Sequence, residues 1–345
     1  MRKKHFLFAS VLALLCSSST LHAQDFKLTS SGYFKNQGVD IMAFDDIYPE
    51  GHQGGVCIIM NGHRVATNGD IRLEATPGQW QPVPKQLDRK LGDNSITATL
   101  CYPDSSRHLT GFNPMIYPDL HLIYTVNVES KGKNIEVTVD LDRPIPQEFI
   151  GKVGFNLEFF PGSLFGKPWI MDGQSGIFPQ QPNSPLMTTQ PNYLHTGNYH
   201  DGKQSLADMD KLIGKGYSPI VADDIISEPY AKGRKFTSRP DDPYNKVTIE
   251  SLSGDLQLFD GRMNHNNGWF VLRSNIKPGV TKGAVKWIIT PNVVADWMYQ
   301  PVIQTSQIGY HPAQDKEAVI EMDIRDNRKE TAQIIRIDAD GEKVV

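Results

Sequence analysis

The sequence predicts a mainly β protein whose principal part is a large antiparallel β-sandwich. Apolar and polar residues alternate along many short segments, and Asn-Gly or other Gly-containing turns separate these segments. Strand and helix patterns do not alternate, which disfavours a parallel α/β fold. A length of 345 residues fits about two domains. We expect a leader at 1–23, a β-sandwich domain at 24–300 and a smaller β unit at 301–345.

The first 23 residues have the layout of a secretory signal peptide. Basic residues precede an apolar run from Phe6 to Leu15, and Ala23 precedes the expected cleavage site. The run is too short to span a bilayer, and no other segment has the roughly 18 apolar residues that a membrane helix needs. Cys16 follows Leu15 rather than a small residue, which argues against lipid anchoring. We therefore expect a periplasmic or secreted protein without a membrane span.

Charge and motif content narrow the function classes. Cleavage of the leader would remove three cations and no acid, making the formal net charge more negative than its value of −4. A nucleic-acid partner is not expected, because such a surface needs a basic patch. The sequence contains no phosphate-binding glycine loop, zinc-protease motif or nucleophile elbow. It predicts no cofactor and no metal site.

Cys57 and Cys101 remain after cleavage, and each lies in a strand-like segment. A disulfide between them could form in an oxidising compartment. Two buried thiols are equally compatible with the sequence, because free Cys often serves as a small core residue.

Two regions give the clearest hairpin signals. Val56–Met60 leads into Asn61-Gly62, and a second turn is predicted at Asn68-Gly69. Farther along, apolar residues alternate from Leu120 to Val128 and again from Ile135 to Leu141. Each pair of strands should have one face on a core and the other in solvent.

The remaining elements are predicted from composition and periodicity. Strands are expected near residues 256–258, 269–272 and 285–289, and one amphipathic helix at Ser205–Ile213. Segments rich in Pro, Gln or Asn predict long loops at Phe178–Tyr199 and Ser227–Asn245.

Five residues are candidates for ligand binding because indole rings and amides suit sugar recognition. They are Trp80, Trp169, Asn264, His265 and Trp269. Inward packing of the tryptophans and a simple Asn/Gly turn around residue 265 are the competing structural interpretations.

The segment after Pro301 carries an ordered set of residues: Ser306-Gln307, Gly309-Tyr310, Pro312 and then Lys316 with Ala318. This order resembles the opening of the immunoglobulin-like module that precedes the catalytic domain in family 9 glycoside hydrolases, the family of many endoglucanases. An Ig-like sandwich needs about 100 residues. We therefore expect 301–345 to be the truncated start of such a domain, an incomplete immunoglobulin-like β-sandwich with apolar residues left uncovered.

The resemblance implies a helical catalytic domain beyond residue 345 that hydrolyses β-1,4-glucan linkages. No catalytic residue of the family matches a position in this chain. The leading hypothesis is an exported, non-catalytic N-terminal part of a family 9 type glycoside hydrolase, with polysaccharide or oligosaccharide as partner. The alternative is a stand-alone periplasmic carbohydrate-binding protein. A third hypothesis makes the β-domain itself an enzyme that uses His265 and Asp260.

Overall fold

The structure, a computed structural model, describes residues 25–45, 54–74, 76–78, 82–110, 117, 120–182, 186–189, 225–263, 268–327 and 331–345. The expected leader and the expected helix at Ser205–Ile213 lie outside these residues. The described chain forms two nine-stranded antiparallel sheets and three two-stranded ones. The predicted mainly β, antiparallel sandwich class is therefore confirmed. No helix in the described ranges is long and apolar enough to cross a membrane.

The strands are numbered in chain order. They are β1 (Lys27–Leu28), β2 (Phe34–Asn36), β3 (Val39–Ala43), β4 (Val56–Met60), β5 (His63–Leu73), β6 (Lys85–Leu91), β7 (Ser95–Tyr102), β8 (Leu122–Lys131), β9 (Asn134–Leu141), β10 (Val153–Phe159), β11 (Pro168–Met171), β12 (Gln174–Ile177), β13 (Leu186–Thr189), β14 (Ile225–Ser227), β15 (Ala231–Gly233), β16 (Lys235–Ser238), β17 (Val247–Ser251), β18 (Leu256–Asp260), β19 (Phe270–Asn275), β20 (Val285–Pro291), β21 (Val302–Gln304), β22 (Val319–Glu321), β23 (Ile335–Asp338) and β24 (Gly341–Val344). Short 3-10 turns occur at Ser105–Arg107, Gln147–Phe149, Pro161–Ser163 and Gly261–Met263.

The first sheet has the order β1-β2-β3-β4-β5-β10-β19-β18-β15, and the second has the order β12-β11-β16-β17-β20-β9-β8-β7-β6. Alternate apolar residues of both sheets form one core between the layers. At its centre, Trp287 on β20 meets Phe155 on β10, with ring centroids 5.0 Å apart and nearly perpendicular rings. The indole Nε1 donates to Ser274 Oγ at 3.1 Å, so the polar atom of this buried ring has a partner.

The two strongest hairpin predictions are confirmed. β8 and β9 pair from Tyr124 opposite Leu141 to Lys131 opposite Asn134. β4 and β5 are joined by Asn61 and Gly62, whose φ values of 52° and 80° are the two positive angles that a tight hairpin turn requires.

The second predicted Asn-Gly turn is wrong. Asn68 and Gly69 lie inside β5, which continues through them, and the pairing register shifts beside them on both neighbouring strands. The positive φ of 56° at Asn68 therefore serves a β-bulge. A Cβ on Gly69 would lie 2.6 Å from Cβ of Val56, so this position has no room for a side chain.

The predicted loops also contain strands. The segment Ser227–Asn245 includes β15 and β16, and β16 pairs with both β11 and β17. The prolines that indicated a loop flank these strands, and Phe236 alternates with exposed Lys235 in the usual manner. The other predicted loop contains β13, which pairs with β14 farther along the chain.

The region after the sandwich forms two hairpins, β21 with β22 and β23 with β24, and neither joins a large sheet. Many of its apolar side chains are exposed: Val302, Ile303, Ile308, Val319, Ile320, Met322, Ile324, Ile334, Ile335, Ile337, Val344 and Val345. The described part of this region thus exposes the apolar residues that we expected to be uncovered.

The β5 bulge supplies a stability test. Gly69→Ala should lower the free energy of unfolding by about 1–3 kcal/mol, because the new methyl group overlaps Val56. Gly173→Ala is a matched control, since no atom lies within 4 Å of its Cβ position. The control should change stability by less than about 0.5 kcal/mol. Urea denaturation of both variants measures the difference, and equal stabilities would contradict the close contact at Gly69.

Candidate functional site

The structure separates the predicted binding residues instead of bringing them together. Trp169 on β11 is only 6% exposed and belongs to the sandwich core, with its ring against Gly176 of β12. Trp269, just before β19, is half-buried, and its ring meets Phe160 edge-on at a centroid distance of 4.4 Å. The other three candidates, Trp80, Asn264 and His265, lie outside the described residues.

The candidate disulfide between Cys57 and Cys101 is not formed. Cys57 lies on β4 of the first sheet and Cys101 on β7 of the second, and they are not bonded to each other. Their neighbours Ile58 and Leu100 face the core, so by alternation both thiols point away from the layer between the sheets. A disulfide needs Cα atoms within about 7 Å, which is incompatible with outer faces of opposite sheets. Both cysteines are free thiols, but only Cys57 is buried, whereas Cys101 is half-buried.

Asp260 is committed to a structural role. Its Oδ1 accepts from Nε of Arg262 at 2.8 Å, and its Oδ2 accepts from Nη2 of Arg262 at 2.8 Å and from the Tyr230 hydroxyl at 3.0 Å. The Arg262 guanidinium also lies over the Phe270 ring, 4.4 Å from its centroid. This fully buried carboxylate therefore holds an end of the sheet in place, and the geometry gives no support to its use as a catalytic acid.

A buried charged cluster, which was not predicted from the sequence, lies on the middle strands of the first sheet. Its carboxylates and guanidiniums come from neighbouring strands β5, β10 and β19 and from the residue after β5. The members are Asp70, Arg72, Glu74, Glu158 and Arg273. Each is at most 5% exposed. A polymer cannot reach these groups in this structure, so we interpret the cluster as framework.

Arg273 organises one half of this cluster. Its Nη1 donates to Glu74 Oε1 at 3.0 Å and to Asn156 Oδ1 at 3.1 Å, and its Nη2 donates to the Lys152 carbonyl at 2.7 Å. The guanidinium lies over Gly154, where a Cβ would be 2.8 Å from Nε. A larger residue at 154 would displace this contact between β10 and β19.

Asp70 and Arg72 organise the other half. Asp70 Oδ1 accepts from the Tyr124 hydroxyl at 2.8 Å, and Oδ2 lies 3.7 Å from Arg72 Nη1. Glu158 accepts from Asn68 Nδ2 at 2.6 Å. Tyr124 reaches Asp70 from the second sheet, so this contact links the two layers.

Burial dominates the electrostatics of the cluster. Desolvation raises the pKa of Asp70 to about 6 even though Arg72 opposes the shift. Desolvation, aided by repulsion from Glu158, raises the pKa of Glu74 to about 7 against the attraction of Arg273. Among the described members, three acids face two guanidiniums, which is consistent with one acid holding a proton near neutral pH.

An accessible groove lies at a different place, where the connector after β20 meets the edge of the first sheet. Its volume is about 980 Å³. The connector contributes Trp297 and Tyr299, and the segment just after β22 contributes Asp323 and Arg325. Neither aromatic residue was among the binding residues predicted from the sequence.

The connector is held against the sandwich by packing and backbone contacts. A Cβ at Gly38 would lie 2.8 Å from Cε3 of Trp297, so the indole packs closely on the turn between β2 and β3. Gln37 Nε2 donates to the Trp297 carbonyl at 2.7 Å, and Arg325 donates to the same oxygen. Asp323 accepts from the Tyr299 amide at 3.0 Å. These contacts fix the wall of the groove.

The floor of the groove is a line of residues across four strands. Lys27 on β1 is opposite Lys35 on β2, Lys35 is opposite Asp40 on β3, and Asp40 is opposite Ile59 on β4. All four line the groove. No three His, Cys, Asp or Glu side chains in the described part of the chain are grouped to hold a metal ion. The lining of the groove combines hydrogen-bonding side chains with the rings of Trp297 and Tyr299.

Comparisons with known proteins provide little information about these sites. No protein-family model matches the chain, and no curated protein matches it. Among solved structures, the chain is similar to the heparan sulfate lyase HepC from Pedobacter heparinus, with 10% sequence identity and a TM-score of 0.29 over 94% of this chain. The chain spans 42% of the length of that lyase. No property of the lyase is transferred at this level of similarity.

The charged cluster predicts a specific pH dependence of stability. Because the folded-state pKa values of Asp70 and Glu74 are raised, the folded chain binds more protons than the unfolded chain between about pH 4 and pH 7. Their contribution to the free energy of unfolding is complete below this window and is lost as the pH rises through it. Glu74→Gln should reduce that loss by about 1–3 kcal/mol.

Urea denaturation at several pH values across the window measures this difference between variant and wild type. The double variant Asp70→Asn/Glu74→Gln should flatten the dependence further. A wild-type slope in both variants would show that these carboxyls are ionised throughout the window.

Proposed function

We propose that this chain is the exported, non-catalytic N-terminal part of a family 9 type glycoside hydrolase that acts on β-1,4-glucan-type polysaccharide. Hydrolysis would be carried out by a catalytic domain that follows residue 345. Export to the periplasm or secretion belongs to the same proposal, through the signal-like leader at 1–23. The observation that carries it is the segment Ser306–Ala318, in which residues that match the family pattern hold a defined loop.

Tyr310 closes the loop between β21 and β22. Its hydroxyl accepts from the Ser306 amide at 3.1 Å and donates to the Glu317 carbonyl. Positive φ at Gly309, 80°, turns the chain just before this tyrosine. The Ser and Gly-Tyr elements of the motif thus have a shared physical reason, which is to bring the ends of β21 and β22 together.

Lys316 completes the same loop. Its Nζ donates to the carbonyls of Pro312 and Gln314, both at 2.7 Å. The side chain satisfies backbone oxygens in a segment that has no strand partner. The matched residues therefore stabilise one another, which supports treating the resemblance as more than chance agreement of single letters.

The exposed apolar residues of the two hairpins give further support. On β22, Val319 is 64% exposed and Ile320 is 47% exposed, and on β23 Ile337 is 77% exposed. Contiguous apolar strands in water are unfavourable by about 25 cal/mol for each Å² left uncovered. Further strands of an immunoglobulin-like sandwich would cover these side chains and pair with the open edges.

Hydrolysis by two gene products tests the proposal. Residues 24–345 should release no reducing sugar from soluble carboxymethyl cellulose, while the product of the gene read beyond codon 345 should hydrolyse it. An immediate stop codon, or a longer product with no activity on β-1,4-glucans, would overturn the proposal. Turnover by residues 24–345 alone would instead favour an active β-domain.

A further inference from the structure

The groove between the connector after β20 and the edge of the first sheet, called the junction groove below, has charged residues that restrict the class of ligand it can bind. Its ionisable lining residues are of both signs: Lys27, Lys35 and Arg325 against Asp25, Asp40, Glu321 and Asp323. Asp323 and Arg325 are already paired at 3.0 Å. The remaining charges do not form a field of one sign, so neither an anionic polymer nor a cationic ligand is favoured.

The remaining chemistry suits a polyhydroxylated ligand. Lysine ammonium groups donate hydrogen bonds and the Asp40 carboxylate accepts them, so both functions of a hydroxyl group can be met. Trp297 and Tyr299, whose ring centroids are 6.3 Å apart, add large apolar surfaces with a polar tip. A mainly apolar concavity with a few well-placed polar groups is the usual form of a small-ligand site.

The floor of the groove also has a repeat that matches a sugar chain. Lys27, Lys35, Asp40 and Ile59 occupy directly opposed positions on four adjacent strands. Strands lie about 4.8 Å apart, so three steps span roughly 14 Å. The spacing between neighbouring strands is close to the length of one pyranose unit in a β-1,4-linked chain. An extended oligosaccharide can therefore place successive rings along this line of residues.

We propose that the junction groove binds a neutral oligosaccharide, with Trp297 and Tyr299 against its apolar faces and Lys27, Lys35 and Asp40 on its hydroxyls. This inference rests on the proposed role in polysaccharide degradation and names the surface that would hold the substrate chain. The groove is formed jointly by the sandwich, the connector and the β22 hairpin. Binding would therefore also hold the hairpin region in a set orientation to the sandwich.

Calorimetric titration of residues 24–345 with cellohexaose tests the groove. Trp297→Ala should weaken binding by about tenfold or more, the equivalent of about 1.4 kcal/mol. Trp269→Ala is the matched control, because Trp269 packs on Phe160 and is not among the groove-lining residues. It should leave the affinity unchanged.

A second variant is needed because Trp297 packs on Gly38, so Trp297→Ala also removes a structural contact. Lys27 and Lys35 are exposed and directly opposite each other, so the double change Lys27→Ala/Lys35→Ala leaves the core intact. It removes a like-charge pair together with the attraction between Lys35 and Asp40. It should weaken cellohexaose binding by about threefold or more. Chemical denaturation should show an unfolding free energy within about 1 kcal/mol of the wild-type value, because one repulsive and one attractive surface pair are lost together.

Salt and competition distinguish the ligand class. Affinity for cellohexaose should change by less than about twofold between about 0.05 M and 0.5 M NaCl, and a sulfated heparin hexasaccharide should not compete. The inference would be overturned by strong salt dependence of binding or by full affinity in both groove variants. It would also be overturned by loss of binding only in Trp269→Ala, or by no binding of cellohexaose, xylohexaose or mannohexaose. The hydrolysis test on the longer gene product is a separate measurement, so either proposal can fail without the other.

Discussion

Every second side chain of the two nine-stranded sheets is buried in a core shared by both sheets. Within that core, Trp287 packs against Phe155. Because side chains alternate strictly along a strand, burying one set directs the other set to the outer faces. This one constraint places Cys57 and Cys101 on opposite sides of the sandwich. On β10 and β19 it also places Glu158 and Arg273 on the face opposite the core residues Leu157 and Leu272, and there they are buried as well.

Charged residues on this face of the first sheet are exposed at the edge strands and buried in the middle. At the edge strands β1 to β3, the outward residues Lys27, Lys35 and Asp40 line an open groove. At the centre, Arg273 and Glu74 are almost completely buried and must satisfy each other. Buried ion pairs of this kind are costly to break but do not by themselves raise stability.

The junction between the sandwich and the tail hairpins depends on backbone acceptors more than on large apolar contacts. The Trp297 carbonyl accepts from Gln37 of the sandwich and from Arg325 of the hairpin region, so a single oxygen joins both parts. The Arg325 hydrogen bond also lowers the pKa of Asp323, which keeps that acid charged as an acceptor for the Tyr299 amide. A groove bounded by such contacts has a defined shape.

Local pattern alone determined the hairpins β4–β5 and β8–β9, because the period of two and the φ requirement of Asn61-Gly62 are properties of neighbouring residues. It also indicated the loop motif around Tyr310. Charged residues at every second position, such as Asp70 and Arg72, are typical of a solvent-exposed strand face. The sequence could therefore not show that these two side chains are buried. Only the tertiary structure decided that β5 lies beside β10 and β19, that Asn68-Gly69 is a bulge, and that Trp297 meets the β2–β3 turn. These are pairings between segments far apart in the chain, and their free energy comes from packing that no local window contains.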